Sequence, residues 1–289
     1  MAAGVLLAGA LAGCARPQAA PGRVVVVASS YPLYEFARQI AADRAEVLVL
    51  VPPGVAPHDY EPTPRDVVRL RSAKVVIVNG RGLEPWADRL LADLPAVRVV
   101  AAEAAAPVLT GAGLEADPHL WLDPVAAEAV AAAVAAALAR ADPAGEPVYR
   151  QAEARLRQEL RSLHRAYRDG LASCRHREFL AAHAAFGYLA ARYGLVQIAI
   201  SGPTAEAEPS PARMASLAAL ARARGLRVIF ADPRRSRKAA DVLAREVGAR
   251  VLPLSDLETV SEADLRRGRS YVAAMYENLR SLREGLGCR

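Results

Sequence analysis

The chain contains five histidines: His58, His119, His164, His176 and His183. Three lie at the edges of apolar segments: His58 in PPGVAPHDYEPTP (52–64), His119 in LEADPHLWLD (114–123) and His183 in FLAAHAAFGYLA (179–190). Neutral imidazoles are borderline ligands that suit zinc, and a carboxylate or a water completes a tetrahedron at ~2.0–2.2 Å. The wide separation of 58, 119 and 183 is uninformative alone; a local pair such as HExxH would say more. Taken singly, each histidine also fits an ordinary surface or core residue. The chemistry therefore depends on whether the fold gathers them. His164 falls in a charged helical stretch and His176 beside Cys174, and both read as surface residues.

The elements that would position them alternate. RVVVVA (23–28) is a short β-branched run and reads as a buried strand, and YPLYEFARQIAA (31–42) has helical spacing. AEVLVLVP, KVVIVNG and VRVVAAE read as further strands. TPRDVVRLRSA reads as a helix with Thr63 as N-cap and Pro64 at its first position, and LEPWADRLLADL as another helix. After Asp123-Pro124 comes an Ala-rich helix to about 141, then a charged helix from about 146 to 172, some 40 Å long at 1.5 Å per residue. Alternation resumes with REFLAA, AAFGYLAARYG, VQIAIS, a helix from Ser210 to Gly225, RVIFAD, RKAADVLAREVG, ARVLPLS and a closing helix. The expected fold class is α/β: two parallel-sheet lobes, 23–125 and 174–289, with a helical segment 126–173 whose long helix joins them. Ligands of open parallel sheets bind beyond the carboxyl ends of strands. His58, His183 and Asp256 each follow a strand segment there.

The 289 residues, 53% hydrophobic, suffice for one large or two medium cores. The net charge of +6 comes mostly from scattered arginine, without a basic stripe interleaved with aromatics, which argues against nucleic acid as a partner. Residues 1–13 are apolar and too short to span a bilayer stably. With Leu11-Ala12-Gly13-Cys14 they resemble a lipoprotein signal, which implies cleavage before Cys14, lipidation of its sulfur and an extracytoplasmic location. No Lys or Arg opens the run, a departure from that pattern, and a plain cleaved signal with an incidental Cys14 is the alternative. Residues 15–22 read as a flexible tether. In an oxidising compartment the two remaining cysteines, Cys174 and Cys288, tend to pair, a bridge worth up to roughly 4–5 kcal/mol by loop entropy. Two buried thiols are the other reading.

APHDYEPTPRD, DPHLWLDP, HAAFGYLAARYGL and ISGPTAEAEPSPARM followed by RVIFADP resemble, in the right order over nearly the whole mature chain, the metal-binding class of ABC-transporter solute-binding proteins, and most the zinc-specific members. The resemblance implies two α/β lobes linked by a long rigid helix, a metal buried between them, no enzymatic step, a monomer, and delivery to an ABC permease. By motif, His58, His119 and His183 match the first three ligands. A nitrogen at His183 favours Zn2+, where a carboxylate would suit Mn2+; some members with this histidine take Mn2+ as well. The fourth ligand is an aspartate after a late strand, which in VLPLSDLETV falls on Ser255 with Asp256 one residue on. Asp256, or else a water, is expected to complete the set. Glu61, Asp117 and Glu208 are candidates to hold imidazole N–H groups. Trp121 is expected to pack, and Asp123 to cap the helix beginning at Pro124. The His- and Asp-rich loop that many zinc members carry before the second histidine is missing. Alternatives are a manganese- or iron-delivering homologue and, from another class, a zinc hydrolase, for which no general base near a ligand is evident. Some relatives have been called adhesins, and this sequence bears on that in neither direction.

Overall fold

A computed structural model describes residues 23–94, 98–106, 114, 117–202 and 209–289. The signal segment with Cys14, the tether and Glu208 lie outside the described residues. The first lobe runs β1 (Val24–Ala28), α1 (Tyr31–Ala41), β2 (Ala45–Val49), α2 (Pro64–Ser72), β3 (Val75–Val78), α3 (Ala87–Ala92), β4 (Arg98–Ala101) and α4 (Ala102–Ala105). Then come α5 (Pro124–Ala141) and α6 (Glu146–Gly170). The second lobe runs β5 (Glu178–Ala181), α7 (Gly187–Arg192), β6 (Val196–Ala199), α8 (Pro211–Arg224), β7 (Val228–Ala231), α9 (Lys238–Val247), β8 (Arg250–Pro253), α10 (Glu262–Arg266) and α11 (Tyr271–Leu286).

Each lobe holds a parallel four-stranded sheet, ordered β2-β1-β3-β4 and β6-β5-β7-β8. β3 and β7 are buried at every residue, as expected of strands covered on both faces. The fold class read from the sequence is the one observed. Helix signals act locally as expected. Thr63 and Asp66 form a capping box, Asp123 and Ser210 cap α5 and α8, and Gly225 ends α8 at φ +65°. One helix is shorter than its sequence suggests. The segment from Leu83 turns first and becomes helical only at Ala87, because the Glu84 side chain folds back to accept from the Asn79 and Gly80 amides.

The long helix α6 presents Tyr149, Leu156, Leu160, Leu163 and Tyr167 as one buried stripe. It packs on α1 and α5 of the first half and on α11 of the second. A single hydrophobic cluster thus runs from Val26 and Phe36 through Leu160 to Phe230 and Leu282. Opening the lobes far would expose that shared core, at about 1.5–3 kcal/mol per large side chain. The α5 helix is long and apolar enough to cross a membrane by composition, yet half of it is buried inside this core. Cys174 and Cys288 are disulfide-bonded, which pins the end of α11 to the segment entering β5. Across the lobes, Arg192 of α7 grips the Asp123 carboxylate at 2.9 and 2.7 Å.

Candidate metal centre

The first lobe supplies two imidazoles. His58 sits in a single 3-10 turn, Pro57–Asp59, in the loop after β2. His119 precedes the turn Leu120–Leu122 that leads into α5. Its segment is held from below by a buried network. Glu84 accepts from Ser29 Oγ at the end of β1 and from the Asn79 amide at the end of β3, and Asn79 Nδ2 donates to the Pro118 carbonyl at 2.8 Å. Burial raises the Glu84 pKa despite these donors. The second lobe supplies His183, just past β5, with its carbonyl taken by Gln197 Nε2 at 3.2 Å.

The loop after β8 closes the cluster. Asn278 of α11 grips Ser255 through both its amide and its carbonyl, at 2.8 and 2.7 Å. Asp232, at the end of β7, accepts from Ser255 Oγ at 2.7 Å and from the Asp256 amide at 3.1 Å. Leu257 takes φ +61°, a left-handed conformation uncommon for a bulky residue and costing on the order of 1–3 kcal/mol. The chain turns there, and the Glu258 amide donates back to Asp256 Oδ1 at 2.9 Å. This loop also carries an inter-lobe bond: Trp121 Nε1 donates to the Asp256 carbonyl at 2.8 Å. Trp121 therefore packs, fully buried, and uses its one polar atom.

The three histidines converge. Ring centroids of His119 lie 5.8 Å from His58 and 5.6 Å from His183. The atom at their centre is Glu258 Oε1, which is 3.3 Å from His58 Nε2, 2.5 Å from His119 Nε2 and 3.8 Å from His183 Nε2. Sequence reasoning missed Glu258. It lies in the very segment searched for the fourth ligand, but only the turn at Leu257 brings a residue two places past Asp256 to the centre. Asp256 is present too, its Oδ2 3.5 Å from His183 Nε2. Asp117 behaves as anticipated: its Oδ1 lies 2.7 Å from His119 Nδ1 and accepts from the His119 amide at 2.9 Å. Gly187 makes room for it, since a Cβ there would come 2.4 Å from Asp117 Oδ2. Glu61 lies elsewhere, exposed and paired at 3.8 Å with Arg89. His164 is half-buried, with Nδ1 3.2 Å from the Tyr193 hydroxyl, rather than a free surface residue.

The electrostatics are those of a site built for a cation. Burial alone would lower the His119 pKa, but Asp117 and Glu258 outweigh it and push it up to about 9. Burial beside Glu258 raises Asp256 to about 6. Glu258, although buried, is held well below the usual carboxylate range by the His119 and His58 rings that hydrogen-bond it and by His183 close by. His183 Nε2 is buried with no hydrogen-bond partner, and Asp256 Oδ2 meets only the charge of Arg235 Nε at 2.9 Å. An orphaned buried polar atom is costly, and a metal ion would satisfy the His183 nitrogen. The ligand-capable atoms of His58, His119 and Glu258 lie within 4.8 Å of one another, as do those of His183, Asp256 and Glu258. A cleft of about 820 Å³, lined among others by His183, Asp232 and Arg235, leads to this point between the lobes.

Two parallel α/β lobes on a bridging helix, with such a cluster where the strand ends of both lobes meet, define a two-lobed solute-binding protein. The chain belongs to the family described as zinc-uptake complex component A, periplasmic, whose model matches residues 26–285. It is 33% identical over 278 residues to the high-affinity zinc uptake system protein ZnuA of Bacillus subtilis, covering 90% of this chain and 87% of that one. It is 32% identical over 290 residues to the zinc-binding lipoprotein AdcA of Streptococcus pneumoniae, covering 95% of this chain but only 58% of the relative. The chain thus spans little more than half of that protein's length. The crystal structure of the Zn(II)-bound ZnuA-like domain of the same AdcA superimposes with a TM-score of 0.82 at 34% identity, covering 92% of this chain and 99% of that domain.

Proposed function

We propose that this protein captures zinc outside the cytoplasm and hands it to an ABC importer, with His58, His119, His183 and Glu258 as the ligands. One observation carries the reading. Three imidazole Nε2 atoms surround a single carboxylate oxygen in a buried site between the lobes. Three nitrogens and one oxygen form the donor set that four-coordinate zinc prefers. The zinc names of the family and of the relatives above support the same choice of cargo. The lipoprotein name of AdcA supports an anchor through Cys14, as the sequence pattern does.

No bond of the cargo is made or broken in this reading. His119, Asp256 and Glu258 are completely or almost completely buried, and the family and relatives matched are uptake and binding proteins rather than hydrolases. The protein's work is to strip water from the ion, hold it, and present a loaded surface to the permease as a monomer.

The test is the metal content of residues 15–289, stripped and offered equal zinc and manganese, counted by mass spectrometry. One zinc per chain is expected. His183→Ala and Glu258→Gln should lose it, and Asp256→Asn should keep it. Manganese in preference to zinc would move the protein to the manganese-delivering class, and no metal in any sample would sink the reading.

A further inference from the structure

Arg235 follows β7 in the segment Asp232-Pro233-Arg234-Arg235, and its side chain is 15% exposed. Its Nε lies 2.9 Å from Asp256 Oδ2, a charge contact rather than an aligned hydrogen bond, and a terminal nitrogen donates to Glu258 Oε2. A guanidinium is always charged and presents its donors in a rigid fork. Here that fork spans the outer oxygens of both buried carboxylates.

We infer that Arg235 sets the coordination number of the metal site, and through it the choice of ion. The inference rests on the zinc-delivery reading above. Of the four oxygens on Asp256 and Glu258, three are engaged by groups other than the imidazoles. Asp256 Oδ1 accepts from the Glu258 amide, Asp256 Oδ2 faces Arg235 Nε, and Glu258 Oε2 is held by the Arg235 terminal nitrogen. Glu258 Oε1 alone faces all three rings, whereas Asp256 Oδ2, 3.5 Å from His183 Nε2, is shared with the guanidinium. With Oδ2 held by that charge, the ion meets three nitrogens and one oxygen, which suits tetrahedral zinc.

Without the fork, Glu258 becomes free to bind through both oxygens. Asp256 Oδ2, already 3.5 Å from His183 Nε2, can turn to the ion as well. The donor set then grows to three nitrogens and three oxygens, which suits harder ions that take more oxygen ligands. Removal of the fixed positive charge on that side also lifts a repulsion that every cation feels. Arg235 is thus a positioning residue, acting through two carboxylates, and its loss changes the type of ion bound more than the strength of zinc binding.

The experiment compares stripped wild-type protein with Arg235→Gln, Arg235→Lys and the double variant Arg235→Gln/Asp256→Asn. Cobalt(II) absorption reads the coordination number, since four-coordinate cobalt absorbs far more strongly in the visible than five- or six-coordinate cobalt. Mass spectrometry after competition reads the ratio of manganese to zinc. The wild type should give the strong tetrahedral band. In Arg235→Gln the band should weaken and the manganese-to-zinc ratio rise by about tenfold or more, the scale on which residues behind ligands act. Lysine, a point charge that reaches one carboxylate at a time, should fall between the two. The double variant should recover much of the tetrahedral band. An unchanged band and ratio in Arg235→Gln would overturn the inference while leaving the zinc reading intact. So would a folded Arg235→Gln that binds no cobalt. A wild type that binds neither cobalt nor zinc would overturn both.

Discussion

Replacing Asp117 by alanine removes the acceptor behind His119 without touching any atom that would meet the metal. Asp117 Oδ1 serves two donors, the His119 ring at 2.7 Å and the His119 amide at 2.9 Å, in a site where His119 is fully buried. The ring bond fixes the tautomer that leaves Nε2 facing Glu258, and the charge makes that nitrogen a better donor to a cation. The amide bond fixes the turn. Partners behind a ligand are worth ~10–100-fold in metal affinity. Asp117→Ala loses both bonds and the charge and should lie at the upper end, near 100-fold, or about 2.7 kcal/mol. Asp117→Asn keeps an acceptor of the same shape and loses only the charge. It should lie nearer tenfold, about 1.4 kcal/mol. Competition against a zinc chelator of known affinity measures both, with thermal unfolding of the metal-free forms as the control on folding. Affinities within threefold of wild type for both variants would refute the reasoning. Equal losses in the two would refute its second half, because shape would then count for nothing.

Asp123 is fully buried, caps α5 through the Val125 amide, and holds Arg192 across the lobes. Asp123→Ala should cost about 2–4 kcal/mol, the sum of a lost cap and a half-buried arginine left unpaired. A cycle of Asp123→Asn with Arg192→Ala, read from denaturant midpoints, should show coupling of about 1 kcal/mol or more, and additive effects would contradict the clamp. Asp66 offers a pH test. Burial would raise its pKa, but Thr63, Tyr60 and Arg69 hold it below the usual carboxylate range. Its contribution is therefore present above the ordinary value near ~3.9 and fades as pH falls through the lower folded value. Asp66→Asn should cost about 1 kcal/mol at neutral pH, with the gap to wild type closing in strong acid; a gap independent of pH would count against this account.

Much of the local structure is readable from the chain alone. The β-branched runs, the Thr63-Pro64 and Asp123-Pro124 starts and the Gly225 stop act over a few residues, so their outcome needs no partner from elsewhere. The same holds for Asp117, which reaches a histidine only two residues away. What fails is any assignment that depends on a bend between elements. The helix beginning at Leu83 was shortened by Glu84, whose partners Ser29 and Asn79 lie on two different strands. Glu61 has the right chemistry and the wrong place.

By itself the sequence indicated the parallel α/β lobes, the long helix between them and a tendency of Cys174 and Cys288 to pair, and its motifs singled out His58, His119 and His183. These follow from periodicity, turn chemistry and donor type, or from a motif order kept over the whole chain. Only the tertiary structure decided which carboxylate stands among the imidazoles. Asp256 and Glu258 are equally acidic on paper, and each follows β8 within a few residues. The left-handed turn at Leu257, the hold of Asn278 and Asp232 on the loop, and the Arg235 fork leave Glu258 Oε1 among the three rings and Asp256 Oδ2 between His183 and Arg235. The hold and the fork come from β7, the segment after it and α11, and they reach the loop only when the second lobe is folded.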